Sequence, residues 1–204
     1  MEEKPLVKAE SSVMPASMPV SSGDNHVYFN QHVSSDSLAN MMRQIREIDS
    51  SLRHARLNYN VPDHFPMIPI WLHVQSYGGD MMPAFGAVDQ LKAIKSPVYS
   101  IVEGYSCSAA TLISMACRKR FITPSSFMLI HQFTSLMWGT YEQFKDDMKL
   151  QDMLMTQLVE FYAEHSQIKK KDLKKLLKHD SWFSAEQALE SGLVDDFYMG
   201  EAQS

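Results

Sequence analysis

The 204-residue chain has little cysteine: only Cys107 and Cys117 are present, ten positions apart in one apolar segment. Two cysteines at this spacing form neither a disulfide framework nor the Cys-x-x-Cys pairs of a structural zinc site. Their scarcity favours a reducing compartment. We predict no metal site and no cofactor.

Long apolar runs are absent as well, since none approaches the roughly 18–20 residues that cross a bilayer. Residues 1–25 lack arginine, a basic start and an apolar central run, so they resemble neither a secretory signal nor a transit peptide. Serine, proline and other small residues dominate them, which predicts a disordered tail. We expect one domain over residues 26–200 and a cytoplasmic protein.

An excess of positive charge is also missing, because 19 Lys and Arg stand against 24 Asp and Glu and the net charge is −5. The whole chain therefore has no electrostatic attraction for nucleic acid or for an anionic membrane, and we predict neither as a partner. The sequence has no GxxxxGK[ST] phosphate loop. We expect the chain itself to hydrolyse no ATP.

Strand and helix signals alternate along the rest of the chain, which is typical of an α/β fold. Short apolar runs predict strands over residues 27–30, 68–74, 98–102 and 127–131. Gly104 is expected to turn the chain into a small, fully buried helix. Residues 50–66 have weak periodicity and two prolines, and they predict a long loop. Residues 141–165 predict one long amphipathic helix that projects as an arm.

The segment EGYSCSAA, residues 103–110, places three potential nucleophiles together: Ser106, Cys107 and Ser108. Serine at a strand-to-helix turn is commonly only a helix N-cap. A G-x-S-x-G nucleophile elbow would make Ser106 the nucleophile, but it requires glycine at position 108 and an acid before the histidine. Neither requirement is met. Nothing in the sequence singles out Cys107 over its neighbours.

Three other features could take part in acyl-transfer chemistry. Gly78 and Gly79 separate a strand from a helix; they could be a tight turn, or they could present bare backbone N–H groups to a ligand. His131 ends a strand and is either structural or a general base. Asp180 lies between the segments 169–179 and 184–192, which both predict helices. An aspartate at such a position is by default a loop or capping residue.

These features fall within four segments: SYGGD (76–80), GYSCSAA (104–110), FMLIHQ (127–132) and HDSWFSAEQALESGLVD (179–195). In order, and nearly in spacing, they resemble the signature motifs of the ClpP family, the proteolytic subunits of the Clp protease. The resemblance covers residues 27–198. It implies an α/β fold of the ClpP/crotonase type with repeated ββα units, in which residues 141–165 form a protruding handle helix.

By motif position, the resemblance implies that Ser108 is the nucleophile, His131 the general base and Asp180 the acid that orients the histidine. The backbone N–H groups of Gly79 and Ala109 take the places of the oxyanion hole. The residues expected to bind the substrate are Gly78, Gly79, Asp80, Met81 and Phe133.

The same resemblance implies a serine endopeptidase that cleaves unfolded polypeptides inside a ring-shaped chamber. Two stacked heptameric rings are the expected assembly, as a homo- or hetero-oligomer. An AAA+ unfoldase of the ClpX, ClpA or ClpC type is the expected partner.

Some positions depart from the family pattern. Tyr77 and Phe133 replace prolines that flank the substrate groove, and Thr134, Ser135 and Leu136 follow where the family has a glycine pair. The aromatic positions of the unfoldase-binding groove are occupied by Trp71, His73 and Ala93.

Three alternative functions remain open at the level of sequence. One is a catalytically silent ring subunit that only shapes or docks. Another is a crotonase-type acyl-CoA enzyme, which would use the Gly79 and Ala109 N–H groups on a thioester without a Ser-His-Asp series. The third is a ClpP-like protease of virus capsid maturation, which would work without an unfoldase.

Overall fold

The computed structural model describes residues 25–136 and 138–200, so residues 1–24 of the predicted tail lie outside the described part. The strands are β1 (His26–Phe29), β2 (Ile70–Ser76), β3 (Val98–Cys107), β4 (Lys119–Ile122), β5 (Phe127–Ile130), β6 (Ser181–Ser184) and β7 (Asp196–Phe197). The helices are α1 (Ser35–Asn58), α2 (Met81–Ala93), α3 (Ala109–Met115), α4 (Tyr141–His165), α5 (Lys170–Leu176) and α6 (Ala185–Glu190).

Parallel pairing organises the sheet, which runs in the order β1-β2-β3-β4-β7. Strand β5 pairs in parallel with the end of β3, and β6 pairs with β5 in the antiparallel direction. Helices α1, α2 and α3 pack on one face. The predicted α/β class is confirmed, and all seven residues of α3 are buried as the sequence predicted.

The predicted loop over residues 50–66 is wrong for its first part, because α1 continues to Asn58. Its later turns have few apolar residues, so sequence periodicity is weak there, but Leu52 still packs into the core at 6% exposure. The guanidinium of Arg56 donates hydrogen bonds to the carbonyl oxygens of Pro62 and Phe65. These bonds fold the following segment back against the helix end.

The predicted turn at Gly104 is also wrong, because β3 continues through it to Cys107. Val74 pairs with Val102 and Ser76 with Ser106, so β3 has two more residues than β2 between these pairs. Gly104 absorbs this bulge with a φ of +74°. As a result the first part of β3 pairs with β4 and the part after the bulge pairs with β5.

Helix α4 has the bounds that the sequence predicted. It begins with a capping box, in which the Thr140 N–H donates to Oε1 of Gln143 at 2.7 Å and the Gln143 N–H donates to the Thr140 hydroxyl at 3.5 Å. The buried residues of α4 are confined to its C-terminal part, and Met148 and Met153 in the preceding turns are 61% and 69% exposed. The helix therefore stands partly free of the body.

Aromatic rings cover the sheet face that the helices leave open. Trp71 on β2 packs against Tyr99 and Phe121, with ring centroids 5.3 and 5.7 Å away, and also contacts Tyr198. Ala93 is an exposed residue at the end of α2. Trp71 thus lies within a continuous aromatic layer.

A histidine pair lies at the β1 end of this layer. Nδ1 of His26 lies 2.8 Å from Nε2 of His73, and Nδ1 of His73 lies 2.9 Å from a carboxylate oxygen of Glu103. The ring of Tyr28 stacks on His73 with centroids 4.4 Å apart. Three strands therefore contribute to one chain of hydrogen bonds across the sheet.

None of the helices in the described part of the chain has the length and apolar character needed to cross a membrane.

Candidate active site

The ends of three parallel strands bring the sequence motifs together at one edge of the sheet. Strand β2 ends just before the glycine pair, β3 ends at Cys107 and β5 ends at Ile130. The carboxyl ends of parallel strands are where open α/β sheets carry their ligand sites. The four sequence segments therefore converge because of strand topology.

Ser108 is held in a strained turn between β3 and α3. Its N–H donates to the carbonyl oxygen of Leu129 on β5 at 2.8 Å. Its φ and ψ are 53° and −128°, which a residue with a side chain rarely adopts. Such strain persists only where the surrounding structure enforces it, and it often marks a functional position.

The structure separates the three potential nucleophiles by exposure. Ser106 is fully buried, and its hydroxyl has no hydrogen-bond partner among the described residues. Cys107 is 1% exposed, and burial raises the pKa of its thiol to about 11. Ser108 lines an open cavity. Ser108 is thus the one of the three that a substrate can reach.

The pairing of β5 with β6 explains why His131 meets Asp180. Ile130 pairs with Ser181 in the antiparallel direction, so the next residue of one strand lies opposite the preceding residue of the other. Nδ1 of His131 lies 3.2 Å from a carboxylate oxygen of Asp180. The imidazole side chain is 25% exposed and the carboxylate side chain 70% exposed.

Gly78 packs closely against the turn that contains Ser108. A Cβ atom there would lie 2.6 Å from the Cys107 carbonyl oxygen and 2.8 Å from Cβ of Ser108, and the φ of Gly78 is +94°. Gly78 was expected to bind substrate, but it is not among the residues that line the cavity; it is buried and supports the turn. Only glycine fits this position.

Gly79 forms a parallel bridge with Val33. The Val33 N–H donates to the Gly78 carbonyl oxygen, and the Asp80 N–H donates to the Val33 carbonyl oxygen, both at 2.8 Å. The N–H of Gly79 takes part in neither bond. Ala109, the other expected donor, is the first residue of α3, where N–H groups have no partner within the helix.

A cavity of about 600 Å³ opens beside Ser108. Its walls bring together most of the residues that the sequence singled out, namely Ser108, His131, Gly79, Ala109, Asp80, Met81 and Phe133. Tyr77 also lies on the wall, with its ring stacked on Tyr105 at a centroid distance of 4.1 Å. An extended peptide could therefore lie across the nucleophile and the histidine.

One wall of the cavity is formed by α4, and the sequence did not predict this wall. Leu154, Leu158 and Tyr162 line the cavity at helical spacing. The Tyr162 hydroxyl lies 2.6 Å from Oγ1 of Thr111, which donates to the Ser108 carbonyl oxygen, so this end of α4 is connected to the Ser108 turn by hydrogen bonds. Burial raises the pKa of Tyr162. The apolar stripe was visible in the sequence, but nothing in it indicated that the stripe faces Ser108.

Among residues 25–136 and 138–200, no group of three or more His, Cys, Asp and Glu side chains is arranged to hold a metal ion.

Comparison with known proteins places this arrangement in a family. The family model described as Clp protease matches residues 29–200. The chain is 33% identical over 128 residues to ATP-dependent Clp protease proteolytic subunit 2 of Treponema denticola, a match that covers 62% of the chain and 64% of that protein. It is 34% identical over 136 residues to proteolytic subunit 1 of Protochlamydia amoebophila, with 64% and 65% covered.

The chain is also 28% identical over 174 residues to ATP-dependent Clp protease proteolytic subunit 1 of Chlamydia caviae. This longer match covers 83% of the chain and 84% of that protein. With the first two relatives, the chain matches slightly less than two thirds of their length. The family model nevertheless spans most of the sheet, the Ser108 turn and the pair of His131 and Asp180. The chain belongs to the Clp protease family.

Proposed function

We propose that the protein is a serine endopeptidase with Ser108 as its nucleophile. The observation that carries the proposal is the joint placement of Ser108 and His131 on the wall of one cavity, with a carboxylate oxygen of Asp180 3.2 Å from Nδ1 of the imidazole. A nucleophile, a base and a group that orients the base form the arrangement that activates a serine hydroxyl.

In the proposed reaction, Oγ of Ser108 attacks the carbonyl carbon of the scissile peptide bond while His131 takes the hydroxyl proton. The same proton then goes to the leaving amine, and water hydrolyses the acyl-enzyme by the same route in reverse. Asp180 accepts from Nδ1–H and keeps Nε2 available as the base. The N–H groups of Gly79 and Ala109 stabilise the oxyanion, and one such donor is worth about 3–4 kcal/mol in comparable enzymes.

The proposed substrates are unfolded polypeptides. An extended chain would lie beside residues 79–81, so that backbone hydrogen bonds give affinity with broad sequence tolerance. Because the relatives are named as proteolytic subunits of an ATP-dependent protease, we include assembly into two stacked heptameric rings and an AAA+ unfoldase partner in the proposal. A cytoplasmic location is the matching expectation.

Ser108→Ala tests the catalytic assignment, and Ser106→Ala is its matched control. Ser108→Ala should abolish cleavage of fluorogenic peptides and of casein and should remove labelling by a fluorophosphonate. Ser106→Ala removes a buried hydroxyl without a partner, so it should retain most of the activity. Loss of activity in the control alone would contradict the assignment, and failure of the wild-type assembly to label would favour a silent ring subunit.

Assembly is tested separately by light scattering of the full chain. The proposal predicts a particle many times the 23.3 kDa of one chain. A stable monomer at micromolar concentration would contradict the ring assembly without touching the catalytic assignment.

A further inference from the structure

One stripe of side chains on α4 forms a wall of the cavity beside Ser108. Its members, in order from the buried end, are Tyr162, Leu158, Leu154, Leu150 and Asp147. The exposed fraction is 1% at Tyr162, 3% at Leu158 and 43% at Leu150, and Asp147, one turn further along, is half-buried. The wall is therefore apolar near the nucleophile and acidic at its outer end.

The charges on the cavity wall have one sign. Apart from His131, the acidic and basic side chains on the wall are Asp80 and Asp147, and the wall includes no lysine or arginine among the described residues. Asp80 is the N-cap residue of α2 and Asp147 lies within α4, so the two carboxylates come from distant parts of the chain around the same opening. A cationic group in the cavity would meet negative potential from both sides.

Both carboxylates are available to a ligand. The ion pairs between described residues include neither Asp80 nor Asp147. By contrast, the adjacent Asp146 is paired with Lys149 at 2.9 Å. Asp147 thus differs from its neighbour both in facing the cavity and in lacking a cationic partner within the described part of the chain.

We propose that the cavity selects polypeptide segments carrying a lysine or arginine two to four residues from the scissile bond, and that Asp147 is the main determinant of this preference. The inference rests on the proposed peptidase function. Lysine and arginine have long aliphatic stems with a charge at the tip, and they bury the stem while the tip stays in a polar setting. The wall of α4 has this same order, with leucines first and a carboxylate at the end.

Helix geometry sets the position of the basic residue. Asp147 precedes Leu158 by eleven residues, which is about 16 Å at 1.5 Å per residue. A lysine or arginine side chain covers roughly 6 Å of this distance. The remaining 10 Å corresponds to about three residues of extended chain at 3.3 Å each. For a peptide that runs along α4 with its scissile bond beside Leu158, a basic residue next to that bond would therefore fall short of Asp147.

The test uses fluorogenic peptides that differ at one position, with lysine or norleucine placed in turn at each of the four residues on either side of the cleaved bond. For the wild-type assembly at low salt, the kcat/KM ratio of the lysine peptide to the norleucine peptide should reach roughly two- to fivefold at the favoured position, the range expected of a partly exposed ion pair. Salt at 0.5 M should reduce the ratio because it screens such pairs.

Asp147→Asn should bring the ratio close to one, whereas Asp146→Asn, the matched control on the same helix, should leave it unchanged. Binding of the same peptides, labelled with a fluorophore, to the Ser108→Ala protein gives the ratio as a difference in Kd without turnover. Equal ratios for the two Asn variants, or equal cleavage of both peptides by the wild type, would overturn the inference alone. Absence of cleavage of every peptide by the wild type would contradict the proposed function instead.

Discussion

Gly78→Ala should damage the site although glycine has no side chain to lose. The new Cβ would lie 2.6 Å from the Cys107 carbonyl oxygen, 2.8 Å from Cβ of Ser108 and 3.0 Å from the Ala109 nitrogen. Two of these atoms belong to Ser108 and to one proposed oxyanion donor, Ala109, and the third belongs to the residue that precedes Ser108. Relief of the overlap requires movements of about 0.4–0.8 Å to reach ordinary contact at 3.4 Å. The nucleophile turn would therefore shift as a unit.

The magnitudes follow from this displacement and from the backbone. A φ of +94° costs an alanine about 1–2 kcal/mol, and the overpacking adds about 1–3 kcal/mol. The free energy of unfolding should therefore fall by about 2–5 kcal/mol. Because a misplacement near 1 Å can cost about a hundredfold in rate, kcat/KM for a short peptide should fall by a factor approaching 100.

Gly104→Ala is the control for backbone strain. Its φ is +74°, but a Cβ there would meet only the flexible side chain of Gln75, at 3.3 Å. This variant should lose about 1–2 kcal/mol of stability and keep nearly wild-type kcat/KM. Peptide cleavage and urea unfolding measured on both variants decide the matter. Wild-type kcat/KM in Gly78→Ala, or an equal loss in Gly104→Ala, would refute the reasoning.

Two further predictions concern buried groups. At pH 8 a thiol with a pKa near 11 is ionised in about one molecule in a thousand. Native Cys107 should therefore react with iodoacetamide about a hundredfold more slowly than the same residue in the urea-unfolded chain. Fast labelling that abolishes activity would instead indicate a reactive thiol. Asp49, 6% exposed, accepts the buried Ser96 N–H at 2.8 Å, so Asp49→Ala should lower the free energy of unfolding by about 1–3 kcal/mol, measured by urea titration. Arg53→Ala, which removes a half-exposed ion-pair partner of Asp49, should cost less than about 1 kcal/mol, and an equal loss would contradict the account.

Sequence periodicity predicted the elements whose structure is determined locally. Helix α4 has a capping box at Thr140 and a sustained apolar stripe, so its bounds could be read directly. The extension of α1 to Asn58 depends on Arg56 bonding to carbonyl oxygens several residues ahead, which no window of periodicity reports. Strand β6 was missed because it is short and exposes Trp182, and it exists by pairing with β5.

In the candidate site, too, some features could be predicted from local sequence and others depend on contacts between distant parts of the chain. The motif residues Ser108, His131 and Asp180 could be singled out because each lies at a strand end or in a distinctive segment, and the structure brings them to one edge of the sheet. The wall that Asp147 and Leu158 provide could not be anticipated, because it depends on which way α4 crosses the nucleophile turn. The residues proposed to determine specificity are therefore harder to predict from this sequence than the residues proposed to carry out catalysis.

The contact between the two rings of the histidine pair, Nδ1 of His26 and Nε2 of His73, has a limited capacity for hydrogen. If the carboxylate of Glu103 accepts from Nδ1 of His73, the contact between the two rings has room for one hydrogen, donated by either His26 or His73. Hydrogens on both of the facing ring nitrogens would place two N–H groups against each other at 2.8 Å. His26 is the first residue of β1. The side-chain hydrogen bond between the start of β1 and β2 therefore requires that one of these two ring nitrogens carries no hydrogen.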